Sequence, residues 1–118
     1  MPRFLAVYMG SPDGPQRAQW NALSDEERGK REAAGMQAWM DWGAKHAAHI
    51  VDNGGPLGKT KRVSNSGVED AVNMLAGYVI VDAPSHEAAA QMFENHPHFA
   101  IFPGAGVEIM TCPPIPGS

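Results

Sequence analysis

The sequence predicts an α+β chain of the ferredoxin-like kind, an antiparallel sheet with both helices on one face. Extended apolar segments and helical segments follow one another in the order β, α, β, β, α, β, as two βαβ-like halves would. The 118 residues are enough for one core and not for two, so residues 1–118 read as a single domain. Of the 13 glycines and 10 prolines, eight and seven gather at residues 10–15, 53–58, 103–106 and from Pro113 onward. They therefore punctuate elements and do not form a low-complexity tract.

Arg3 to Met9 reads as the first strand. Phe4, Ala6 and Tyr8 alternate with Leu5, Val7 and Met9, and both sets are apolar, so both faces are expected to be covered. Gly10 to Pro15 breaks the chain, and Gln16 to Leu23 fits a short helix. Ser24-Asp25-Glu26-Glu27 has the form of a capping box, with Glu27 reaching back to the Ser24 amide. The helix it opens is expected to run to about Ala48. Met36, Trp39, Met40, Gly43, Ala47 and Ile50 share one arc at the helical period and read as its buried stripe. Trp42, His46 and His49 form a second stripe on its flank, where a helix can line a cleft.

Ile50 to Asn53 reads as the second strand, interrupted at Gly54-Gly55-Pro56. Lys61 to Ser64 resumes extended structure, Asn65-Ser66-Gly67 is a turn, and Val68 to Asn73 is ambiguous. Leu75 to Asp82 is the plainest strand, with Gly77 leaving a gap on the face of Leu75, Val79 and Val81. Ser85 caps a helix expected to reach about Asn95, with Ala88, Ala89, Met92 and Phe93 inward. The residue before Pro97 is pushed out of the helical region, which ends it. Val107 to Thr111 is the last strand. Helices on one sheet face leave the other apolar, so two sheets are expected to pack as a homodimer.

Composition narrows the function classes. A net charge of −4 and a single small basic cluster, Lys59 to Arg62, argue against a nucleic-acid partner. The opening segment is too short and then too polar for a signal peptide or membrane span. One cysteine, Cys112, excludes an internal disulfide framework and suits a reducing cytosol, so a soluble cytoplasmic chain is expected.

Five histidines and Asp52 carry what chemistry the chain has. Asp52 stands in an apolar strand before the glycine break. It is either a base paired with His46 or His96, or the acceptor of an Asx-turn to the amides of Gly54 or Gly55. His96 lies at a helix end beside a proline, where loops collect catalytic groups. His46 and His49 are three apart, and His96 and His98 two apart, but no HExxH pattern or cysteine pair accompanies them, so no metal site is expected. Gly54 to Thr60 lacks the spacing of a phosphate loop, and no cofactor is expected.

Taken in order, Phe4 to Tyr8, the Trp39/Trp42 helix, Val51 to Gly58, Gly77 to Ile80, Ser85 to Ala90, His96-Pro97-His98 and Val107 to Ile109 resemble the YCII-related (YciI-like, DGPF) family across nearly the whole chain. The resemblance implies a ferredoxin-like fold dimerised into an α/β barrel. It also implies a cleft between helix one, the second strand and the loop after helix two. Trp39, Trp42, Gly54, Gly55, Pro56 and His98 would line that cleft. The YciI branch is thought to use a helix-one histidine with the aspartate of an Asp-Pro pair, and some relatives look like lyases or dehydrochlorinases of small ring compounds. Here Trp39 stands near the histidine's place and His96 fills the aspartate's, so that dyad is absent. Two functions remain: a small-molecule cleft without assigned chemistry, or a cofactor-free acid/base enzyme using Asp52 with His96 or His46.

Overall fold

The computed structural model describes residues 1–116. Six strands and four helices follow in order: β1 (Arg3–Met9), α1 (Pro15–Ala22), α2 (Asp25–Lys45), β2 (Ile50–Pro56), β3 (Thr60–Ser64), β4 (Gly67–Ala71), β5 (Leu75–Asp82), α3 (His86–Gln91), α4 (Pro97–Ala100) and β6 (Gly106–Thr111). β2, β5, β1 and β6 form an antiparallel sheet in that spatial order, the ferredoxin-like arrangement.

The core lies between one sheet face and the helices. Phe4, Ala6 and Tyr8 of β1 and Val79 and Val81 of β5 meet Ala89 and Phe93, with Trp39, Trp42 and Ile50 packed against them. Alternation along β1 puts Leu5, Val7 and Met9 on the opposite face. There Leu5 pairs with Ile80 and Met110, and Val7 with Tyr78.

The capping box at α2 forms as read: Ser24 Oγ accepts from the Glu27 amide at 3.1 Å, and the Ser24 amide donates to Glu27 at 3.2 Å. The helix ends earlier than expected, at Lys45, and His46 caps it before a 3-10 turn over Ala47–His49. Its buried stripe is also displaced. Met36 and Met40 are 58% and 66% exposed, whereas Gly35 is buried and Trp39, Trp42 and His46 are half-buried. The spacing Gly35, Trp39, Trp42, His46 is still helical, but the inward face falls between the two stripes read from the sequence. Gly35 lets α2 lie close against the segment that follows α4, because a Cβ there would lie 2.5 Å from the Phe102 ring.

Three further segments depart from expectation. The ambiguous residues after Gly67 form β4, which pairs with β3 as a separate two-stranded hairpin outside the main sheet. Val63 and Val68, opposite one another on it, are 75% and 70% exposed. With this hairpin projecting, the radius of gyration is 16.4 Å, against about 13–14 Å for a compact chain of this length. The helix opened by Ser85 ends at Gln91, well before Asn95. His96 is then the N-cap of α4, a helical turn with Pro97 in its first position, where the missing N–H costs nothing.

Candidate functional site

A cavity of about 410 Å³ opens between α2 and the β2–β5 edge of the sheet. Tyr8 and Gly77 form its floor, Trp39 and Trp42 one wall, and Asn53, Gly55 and Pro56 of β2 the other, with His98 at one end. Gly77 supplies the gap read from the sequence: it is buried, and a Cβ there would press on the Gly55 carbonyl at 3.1 Å. Gly43, read from the sequence as part of the buried stripe, has nothing near its missing Cβ and lines the cavity instead.

Behind the cavity sits a connected aromatic cluster. The Tyr8 ring centroid is 5.0 Å from that of Trp39, 5.1 Å from His96 and 5.3 Å from His98. Trp39 and Trp42 meet His96 edge-on, at 4.5 and 4.8 Å. Trp42 is anchored by donating its indole N–H to the Met92 carbonyl at 2.7 Å.

His96 is fully buried. Its Nδ1 accepts the His98 backbone N–H at 3.0 Å, so the hydrogen-bond network assigns the proton of the neutral ring to Nε2. Nε2 lies 3.4 Å from the Tyr8 hydroxyl, a long contact in which the histidine donates. Burial, aided by repulsion from His98 and His46, lowers the His96 pKa to about 4. The ring is therefore neutral near pH 7. Burial also raises the Tyr8 pKa, so its hydroxyl keeps its proton.

His98 is held from both sides. Its Nε2 is 2.7 Å from the Met9 carbonyl, which can only accept, so Nε2 carries a proton and Nδ1 the lone pair. Burial lowers the His98 pKa, and the Met9 carbonyl partly offsets this by favouring the charged ring. Gly104 makes the position possible, since a Cβ there would overlap the His98 ring. His98 also borders a second cavity, of about 430 Å³, with Arg17, Trp20 and Glu32.

The residues read from the sequence are thus divided. Trp39, Trp42, Gly55, Pro56 and His98 line the cavity, with His96 directly behind them. Gly54 sits in the β2 irregularity with φ 59° and its missing Cβ against the Tyr78 carbonyl, where no other residue fits. Asp52 is exposed, and its carboxylate accepts from the Gly54 amide at 2.8 Å, the Asx-turn alternative. It makes no hydrogen bond to His46 or His96. His46 meets Trp42 at a tilt, ring centroids 5.0 Å apart, at the helix end, and its pKa is lowered by burial and by the charges of Lys45 and His49. The sequence reading missed Tyr8, which looked like any inward residue of a strand, and Asn53. Among the described residues, no three metal-ligating side chains converge, and no helix is long and apolar enough to cross a membrane.

No family model matches the sequence, and no curated protein matches it. Among solved structures, the chain is similar to 5-chloro-2-hydroxyhydroquinone dehydrochlorinase (TftG) from Burkholderia phenoliruptrix AC1100, solved in complex with 2,5-dihydroxybenzoquinone. The TM-score is 0.54 with 18% identity over 94% of this chain and 93% of that one. At that identity the likeness bears on the fold, an α+β ferredoxin-like chain, and leaves function to the site.

Proposed function

We propose that this chain is a YCII-related protein that acts as a homodimer and binds a small, flat ring compound carrying oxygen substituents. The observation that carries the reading is the cavity walled by Trp39, Trp42 and Tyr8 with His98 at its end. Its volume, about 410 Å³, falls in the range of small-molecule sites. Indole and phenol faces favour a planar, polarisable ligand, while Asn53, His98 and the Tyr8 hydroxyl offer hydrogen bonds to its edge. That TftG was solved with 2,5-dihydroxybenzoquinone supports a ligand of this class. The dimer reading rests on the sheet face opposite the helices, where Leu5, Val7, Tyr78, Ile80 and Met110 make an apolar strip bordered by Glu108 and Asp52. Two such faces pack at about 10 Å, as in other sheet pairs.

Calorimetric titration with 2,5-dihydroxybenzoquinone tests the ligand class. Saturable binding that weakens at least about tenfold in Trp39→Ala, the loss of one aromatic contact of about 1.4 kcal/mol, is the expected result. No binding, or binding indifferent to Trp39, would overturn the reading.

A further inference from the structure

We propose that, within the ring-binding cleft read above, His98 Nδ1 accepts a proton from a carbon beside a ring carbonyl while the Tyr8 hydroxyl holds the developing enolate oxygen. The inference rests on that reading of the cleft and goes beyond it by naming a reaction and two catalytic residues.

The hydrogen bonds dictate which atoms are free. His98 has its Nε2 proton committed to the Met9 carbonyl, so Nδ1 alone can act as base. No partner meets Nδ1, and the described residues hold no buried side-chain nitrogen or oxygen without one. Nδ1 is therefore reached from open space, and the ring lines the cavity. The Tyr8 oxygen receives the Nε2 proton of His96, so its own O–H is free to point at a ligand. His96 cannot reverse this order, because its Nδ1 is occupied by the His98 amide. His96 is thus a positioning residue, tying the donor and the base to one another. The Tyr8 and His98 rings stand 5.3 Å apart, tilted by 56°, on the wall of one chamber. A carbonyl oxygen and its neighbouring carbon can meet such a pair with each reacting contact near about 3–3.5 Å.

The step balances without a redox partner. The C–H bond breaks and its proton passes to His98 Nδ1. The electron pair becomes the new C=C bond, and the carbonyl π pair moves to oxygen, which accepts the Tyr8 hydrogen bond. The Met9 carbonyl stabilises the imidazolium so formed. His98 then returns the proton to the oxygen or to another ring carbon, giving a tautomer. A Tyr8 whose proton is tightly held donates a hydrogen bond and does not ionise. A His98 that titrates below its ordinary range is already a free base at neutral pH. The groups around it are Tyr8 on the cavity side, the buried His96 behind, and Arg17 and Glu32 across the adjoining cavity.

The test is deuterium uptake from D₂O into cyclohexane-1,4-dione, followed by proton NMR with the full chain, beside binding of 2,5-dihydroxybenzoquinone. Wild type is expected to speed exchange over buffer, with a rate that rises from acid pH and levels off below pH 6.5. His98→Gln should lose about 100-fold of that rate, and Tyr8→Phe about 10- to 100-fold, at saturating dione. Exchange no faster than buffer with the quinone still bound would overturn the proton transfer and leave the binding reading standing. Absence of both would overturn the two together. An unchanged rate in folded His98→Gln, or a wild-type rate that keeps rising above pH 6.5, would also overturn the role of His98.

Discussion

Trp42 of α2 donates its indole N–H to the Met92 carbonyl at 2.7 Å, fifty residues along the chain, just past the end of α3. This bond fixes how the two helices sit over the sheet, and so fixes one cavity wall. Trp42→Phe keeps most of the ring but strands the Met92 carbonyl. It should lower unfolding free energy by about 1–2 kcal/mol in a urea titration and leave the m-value unchanged.

His96 makes stability depend on acid in a stated direction. Its folded pKa, about 4, is below the ordinary value of 6.5, so the unfolded chain binds the proton more readily. The stabilisation is fully present above pH 6.5 and is lost as pH falls toward 4. Each pH unit in that window removes about 1.4 kcal/mol, for a total on the order of 3 kcal/mol. His98, also lowered, adds to the loss in the same direction. Thermal melts between pH 7 and 4 check this, and replacing His96 by Gln should flatten the slope.

Two glycines should respond oppositely to alanine. Gly29 lies inside α2 with nothing near its missing Cβ, so Gly29→Ala should stabilise by about 0.5–1 kcal/mol. Gly54 combines φ 59° with a Cβ position on the Tyr78 backbone, so Gly54→Ala forces β2 from β5 and should cost more than about 3 kcal/mol. Paired melting curves measure both.

Asp52→Asn keeps an oxygen for the Gly54 amide. It should change stability by less than about 1 kcal/mol and leave quinone affinity unaltered. A loss of affinity would return Asp52 to the site.

Leu5 occupies the middle of the sheet face turned from the helices. Leu5→Lys puts a charge where a second sheet is proposed to pack, so sedimentation velocity should show a dimer for the unaltered chain and a monomer for the variant.

What could be read from residues alone follows the range of the forces involved. The β1 alternation around Phe4, Ala6 and Tyr8 and the Ser24–Glu27 box are local, and both could be read. The rotation of α2 was not local. Met36 and Met40 look like core residues, but α2 turns Gly35, Trp39 and Trp42 inward, so Met36 lies at the cavity edge and both methionines stay exposed. β4 escaped because a strand solvated on both faces carries no alternation to detect. At the site, the aromatic wall of Trp39 and Trp42 was visible as a helical stripe. The distinct roles of His96 and His98 were not, because they are set by Tyr8 and the Met9 carbonyl, 88 and 89 residues distant.

The β3–β4 hairpin carries a consequence for how the molecule breathes. Its ladder from Thr60↔Ala71 to Ser64↔Gly67 is shielded by little beyond its own cross-strand ion pairs, Lys61–Asp70 and Arg62–Glu69. A lone two-stranded ribbon is marginal in water, and exposed ion pairs add at most about 1 kcal/mol each. Its amides should therefore exchange with solvent through a local opening that leaves the four-stranded sheet shut. The chain thus has two opening equilibria, a shallow one for the ribbon and a deep one for the sheet. A protease working under native conditions should first nick the chain at Asn65–Ser66, leaving the cavity and its histidines in place.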